Sequence, residues 1–154
     1  MTITESSLIQ KIPIVGNILK ARDHFDVSSI ACDKSLLLFK DKLVSYHPGW
    51  IKALYKVREF FLKILKIPQV KDFEPMYLTV ATDDSSFWIG VISDTHLTAH
   101  LVVMKESKTD STPVFHVLSI VHFHSYKGKF YFSIIRPFHH FVVYFMMRSA
   151  KQEE

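Results

Sequence analysis

A chain of 154 residues is long enough to bury a core in one domain, and 48% hydrophobic against 22% charged residues excludes a disordered chain. Nineteen Lys and Arg against fifteen Asp and Glu leave a formal charge of +4, but the basic residues are scattered, so no nucleic-acid partner is expected. The only cysteine, Cys32, excludes an internal disulfide and a thiolate cluster and fits a reducing, cytoplasmic setting; as a small apolar residue it is expected to be buried.

Residues 1–22 read as a loosely packed N-terminal arm, and a secretory leader is not expected, because Glu5 sits early and Pro13 and Lys20 interrupt the only apolar stretch. A single domain is expected over residues 23–152. After the turn-prone Asp23, Phe25 to Ile30 reads as a short edge strand. Asp33 is the expected N-cap of a first helix carrying Leu36, Leu37, Leu43 and Val44, which His47-Pro48-Gly49 ends. A second helix, about Trp50 to Lys66, places Trp50, Leu54, Val57, Phe61 and Ile64 at three- and four-residue steps as an apolar stripe. Its other side carries Lys52, Lys56, Glu59, Lys63 and Lys66, read as a solvated face, with membrane-surface or partner docking as the alternative.

From Met76 onward short β-rich runs alternate with polar breaks: Tyr77 to Ala81, Phe87 to Ser93, His96 to Lys105, Val114 to His124 and Lys129 to Arg136. Their connections, including Asp94-Thr95 and Ser125-Tyr126-Lys127-Gly128, are built from turn formers and predict an antiparallel meander. Pro137 suits the first position of a helix. Phe138, Phe141, Val142, Phe145 and Met146 then recur at helical spacing, and Val143 and Tyr144 make that helix apolar almost all round. The expected fold is α+β: about six antiparallel strands curved around one long C-terminal helix, with two helices between strands one and two. The longest apolar run, Phe141 to Met147, is too short to cross a bilayer, which needs roughly 20 residues.

That element order resembles the helix-grip architecture of the START and birch-pollen-allergen superfamily. Particular residues carry a closer likeness: Asp94-Thr95-His96-Leu97, Val121-His122-Phe123-His124, Gly128, Tyr131 and Ile135-Arg136-Pro137-Phe138-His139, with Asp23-His24-Phe25-Asp26 and Trp50. They resemble domain-of-unknown-function family 2867, a bacterial family associated with the same superfamily. The resemblance implies a fold and a hydrophobic pocket, and no activity or cofactor. Some members of that family are fused to a dehydrogenase-like domain, but this chain carries no Gly-rich dinucleotide fingerprint.

Nine histidines invite a test for metal. His122 and His124, one residue apart in a strand, present both rings on one face, and a third ligand would have to come from Asp94, His96, His116 or His139. Hydrogen-bonded histidines at a sheet margin are the reading preferred. Asp94 and His96 read either as an acid/base pair, with His122 as a further proton carrier, or as ordinary turn chemistry. Arg136, at the expected junction of last strand and last helix, is placed to meet an anionic ligand group or an internal carboxylate. His139 and His140 open the expected helix, whose positive end disfavours a charged imidazole.

The leading expectation is a module that binds a hydrophobic or amphipathic small molecule between sheet and final helix. Its walls would be Trp88, Phe115, Phe123, Phe132, Phe138, Phe141, Phe145 and Met146, with Arg136 as a further ligand-binding candidate. The same aromatics also suit an ordinary core. The alternatives are a cyclase- or dehydratase-like enzyme moving protons with Asp94, His96 or His122, and an interaction module using the basic face of the second helix. No cofactor is expected; a homodimer is the partner state kept open.

Overall fold

The computed structural model describes residues 13–20, 23–46, 48–67, 77–83, 85–93 and 96–152. In chain order its elements are α1 (Pro13–Lys20), β1 (His24–Ala31), α2 (Leu36–Val44), α3 (Gly49–Ile64), β2 (Leu78–Asp83), β3 (Phe87–Ser93), β4 (Leu97–Glu106), β5 (Val114–Phe123) and α4 (Tyr126–Lys151). The five strands form one antiparallel sheet in the order β1-β5-β4-β3-β2. Hairpins link β2 through β5, as their turn residues predict, while β1 returns across two helices to pair with the last strand.

Side chains alternate between the two faces of a strand. One face gives Trp88, Leu101, Val103, Phe115 and Val117 to a core shared with Leu36, Phe39 and Leu43 of α2 and with Val143, Met147 and Ala150 of α4. The other gives Ile89, Val102, Met104, Leu118 and Ile120 to a second cluster, closed by Val15 of α1, which is fully buried. Part of the segment expected as an arm is therefore a helix packed on the sheet. Cys32 is buried, as its size predicts, and burial raises its thiol pKa.

Four local expectations are corrected. The N-cap of α2 is Ser35 instead of Asp33: its Oγ accepts from Leu38 N at 3.2 Å, and it stands immediately before the first helical residue, where a side-chain oxygen can reach the free amides. Residues 129–136 are helical, so the described sheet has five strands and not six. Ser125 starts that helix, its Oγ accepting from Gly128 N at 3.2 Å, and Pro137 lies inside α4 instead of at its first turn. In α3 the stripe is displaced: Ile51 and Leu62 are buried, whereas Trp50, Val57 and Ile64 are exposed. The reason is that Leu62 of α3, with Ile67 just beyond the helix end, packs against Tyr131 of α4, so that α3 meets another helix instead of the sheet. Lys52, Lys56, Glu59, Lys63 and Lys66 are exposed, as expected of an outer face. Among the described residues no helix is long and apolar enough to cross a membrane.

Candidate functional site

Because α3 touches α4 mainly near its C-terminal end, the two helices leave an apolar cleft between them. Its inner part, about 180 Å³, is lined by Leu54, Tyr55, Val57 and Arg58 of α3 and by Tyr131, Ile135, Phe138, His139 and Val142 of α4. It continues outward over Trp50, Leu54, Phe138, Phe141 and Phe145. Trp50 and Phe145 meet edge to face with centroids 5.6 Å apart, yet Phe138 and Phe141 remain 47% and 63% exposed. An apolar surface of this kind bordered by a concave recess is what ligand or partner sites present.

Three polar side chains, Tyr55, Arg58 and His139, also line the cleft. His139 points toward the sheet, with Nε2 3.2 Å from Ser119 Oγ on β5. Loss of hydration pushes its pKa down from 6.5 to about 4, with neighbouring His140 and His24 acting the same way and Asp26 opposing them. The imidazole is neutral at neutral pH. Alongside, His140 Nδ1 is 2.8 Å from Asp26 Oδ2 on β1, and the His24 ring lies 4.9 Å from that of Phe132. Burial, then the Arg136 charge, lowers the His24 pKa. Tyr55 is half buried, and desolvation raises its phenol pKa. The cleft thus has oily walls, a phenol, a guanidinium at Arg58 and one neutral imidazole that is hydrogen-bonded to Ser119.

The residues expected to form one pocket between sheet and helix are distributed over three places. Trp88 and Phe115 are core: Trp88 Nε1 donates to Thr79 Oγ1 at 3.0 Å, and Phe115 stacks on Phe39 with centroids 4.0 Å apart. Phe123 and Phe132 pair at 5.5 Å beside His24 at the other end of the sheet. Phe138, Phe141 and Phe145 do come together, but on the outer side of α4, facing α3. Met146 packs against the core from its edge, and Arg136 is exposed in the middle of α4, since no strand-to-helix junction exists there.

Of the candidate proton carriers, Asp94 lies outside the described residues. His96 is 3% exposed and sits beneath Tyr131, ring centroids 4.9 Å apart. His122 and His124 share one face, as their spacing predicts, but it is the face opposite α2 and α4. His124 Nε2 is 2.8 Å from Thr98 Oγ1, and His122 meets His100 edge to face at 5.4 Å. Among the described residues no three His, Cys, Asp or Glu side chains gather as a metal site requires. His139 lies within one continuous helix instead of opening one, and its spacing from Phe132, Ile135 and Val142 is the signal that puts it on the inner face.

No curated protein and no solved structure matches the chain. The family model described as "Protein of unknown function (DUF2867)" matches residues 18–146, which span every strand, the helices α2 and α3 and most of α4. The chain therefore belongs to that family of unknown function.

Proposed function

We propose that the protein binds an apolar or amphipathic small molecule in the cleft between α3 and α4. One observation carries this reading: the oily side chains of Leu54, Val57, Ile135, Phe138 and Val142 line one recess together with the polar side chains of His139, Tyr55 and Arg58. Such a site takes up an acyl or aryl group by burial and orients it by a polar end. The order strand, two helices, meander, long helix supports the helix-grip likeness, with the ligand placed beside the long helix instead of beneath it.

The test is a titration with 1-anilinonaphthalene-8-sulfonate, with near-UV circular dichroism as a check on native packing. Saturable uptake near one probe per chain is expected, weakened at least about tenfold by Leu54→Arg and by Phe138→Asp, since each brings a charge into an apolar recess. Lys63→Glu, outside the cleft, should leave it unchanged. Uptake that ignores both cleft variants would rule the reading out.

A second reading, proton transfer of the cyclase or dehydratase kind, is favoured by the neutral His139 imidazole that lines the cleft. Incubating a cell-lipid extract with the wild type and with His139→Phe separates the two. An enzyme consumes a component in the first sample only; a carrier leaves both extracts unchanged.

A further inference from the structure

On the sheet face opposite the cleft, three strands carry a hydroxyl, an imidazole and a carboxylate in hydrogen-bonding order. Ser29 of β1 stands directly across from His116 of β5, with Ser29 Oγ 2.7 Å from His116 Nδ1. The other ring nitrogen, Nε2, is 3.0 Å from Glu106 Oε2 at the end of β4. Strand register produces the first contact. Cys32 N donates to Pro113 O, so the pair 32 and 113 is hydrogen-bonded, and alternation back along β1 makes Ser29 and His116 a non-hydrogen-bonded pair. Facing side chains come closest in such pairs, and the Ser29 amide is directed away from β5, toward the open edge of the described sheet.

The order of the groups sets the direction of proton flow. A carboxylate accepting at Nε2 keeps the imidazole proton there, so Nδ1 presents a lone pair and the Ser29 hydroxyl donates to it. Burial is graded in the same sense: His116 is 1% exposed, whereas Ser29 is open to solvent. Beside them lies a pocket of about 170 Å³ lined by Ser29, Ile30, Ala31, Glu106, Lys108, Val114 and His116. Lys108 Nζ is 3.9 Å from Glu106 Oε1, which brings a positive charge to the rim. An accessible hydroxyl, a shielded base, a carboxylate that orients the base and a small adjoining recess are the parts a nucleophilic serine needs.

We propose that Ser29 is a nucleophile toward short-chain carboxylic esters, with His116 as its general base and Glu106 as the residue that positions His116. Ser29 Oγ bonds to the ester carbonyl carbon while its proton passes to His116 Nδ1. The bond from that carbon to the alkoxy oxygen then breaks, and the leaving oxygen takes the proton away as an alcohol. Water adds to the acyl-serine, gives a proton to the same nitrogen, and collapse releases the carboxylic acid and restores the Ser29 hydroxyl. The Ser29 amide is a backbone donor at the reacting residue for the oxyanion formed in each half. The size of the recess favours a short acyl group.

The experiment uses the full chain, phenylmethylsulfonyl fluoride as the labelling reagent and 4-nitrophenyl acetate as the ester. One sulfonyl group per chain is expected, mapped to Ser29 by peptide mass and absent from Ser29→Ala, which should also lose acetate release. Glu106→Gln, at the rim and so tolerant of folding, should slow labelling at least about tenfold and move the acid limb of the rate–pH profile to lower pH, because the imidazolium loses its carboxylate. A merely structural bond would change stability without moving that limb. Ser29 left unlabelled in the native chain, or labelled equally fast in Glu106→Gln, overturns the assignment.

Discussion

Gly128 illustrates how one missing carbon places a helix. A Cβ at this third position of α4 would lie inside contact distance of the His96 backbone carbonyl oxygen, while Gly128 N donates to the cap at Ser125. The helix N-terminus is thus seated on His96, the residue before β4. Gly128→Ala should destabilise the fold by about 1–3 kcal/mol, the usual scale of overpacking, whereas Gly49→Ala, with open space around the new carbon, should change little; urea unfolding of the two variants reads the difference. Sequence pattern located Gly128 among the residues that carry the family likeness, but read it as a turn. Its steric reason is visible only once His96 stands beside it.

At the scale of elements, α4 is where local preference and tertiary context diverge. Residues 129–136 are rich in Phe, Tyr and Ile, which favour strands, and Pro137 reads as a helix start. The structure continues one helix through both, because Phe132, Val143, Met147 and Ala150 fall on a single buried stripe and Tyr131, on the neighbouring side, packs against α3. Pro137 within α4 leaves the Ser133 carbonyl without its helical donor. Pro137→Ala is therefore expected to raise stability by about 1–3 kcal/mol, seen as a higher urea midpoint at unchanged m-value. The first four β-strand runs after Met76 were legible because alternation and turn residues agreed. The cleft stripe on α3 was legible as a stripe, but its destination depended on which surface met it.

For the whole molecule, acid sensitivity follows from the histidines enclosed between layers. His139 has a folded pKa of about 4 against an ordinary 6.5, so between these values the unfolded chain holds a proton that the folded one does not. Stability is full above about pH 6.5, falls as pH drops through the window and bottoms out near pH 4, at a cost of at most about 3 kcal/mol for this group. His24 and His100, whose pKa values burial also lowers, add to the loss in the same direction. Thermal unfolding from pH 7.5 to 4.5 should show the decline, with a shallower slope in His139→Phe.

By itself the sequence determined the composition of the domain: β1, the two helices after it, the meander and a helical C-terminus, each written in short-range periodicity and turn chemistry. The candidate site was only partly legible, since Phe138, Phe141 and Phe145 announced an apolar surface but not its partner, and Ser29, His116 and Glu106 are 87 and 10 residues apart along the chain. Strand register and helix docking alone bring such groups within bonding distance. These are decided by which faces exclude water together, a property of the packed layers that no local stretch of chain encodes.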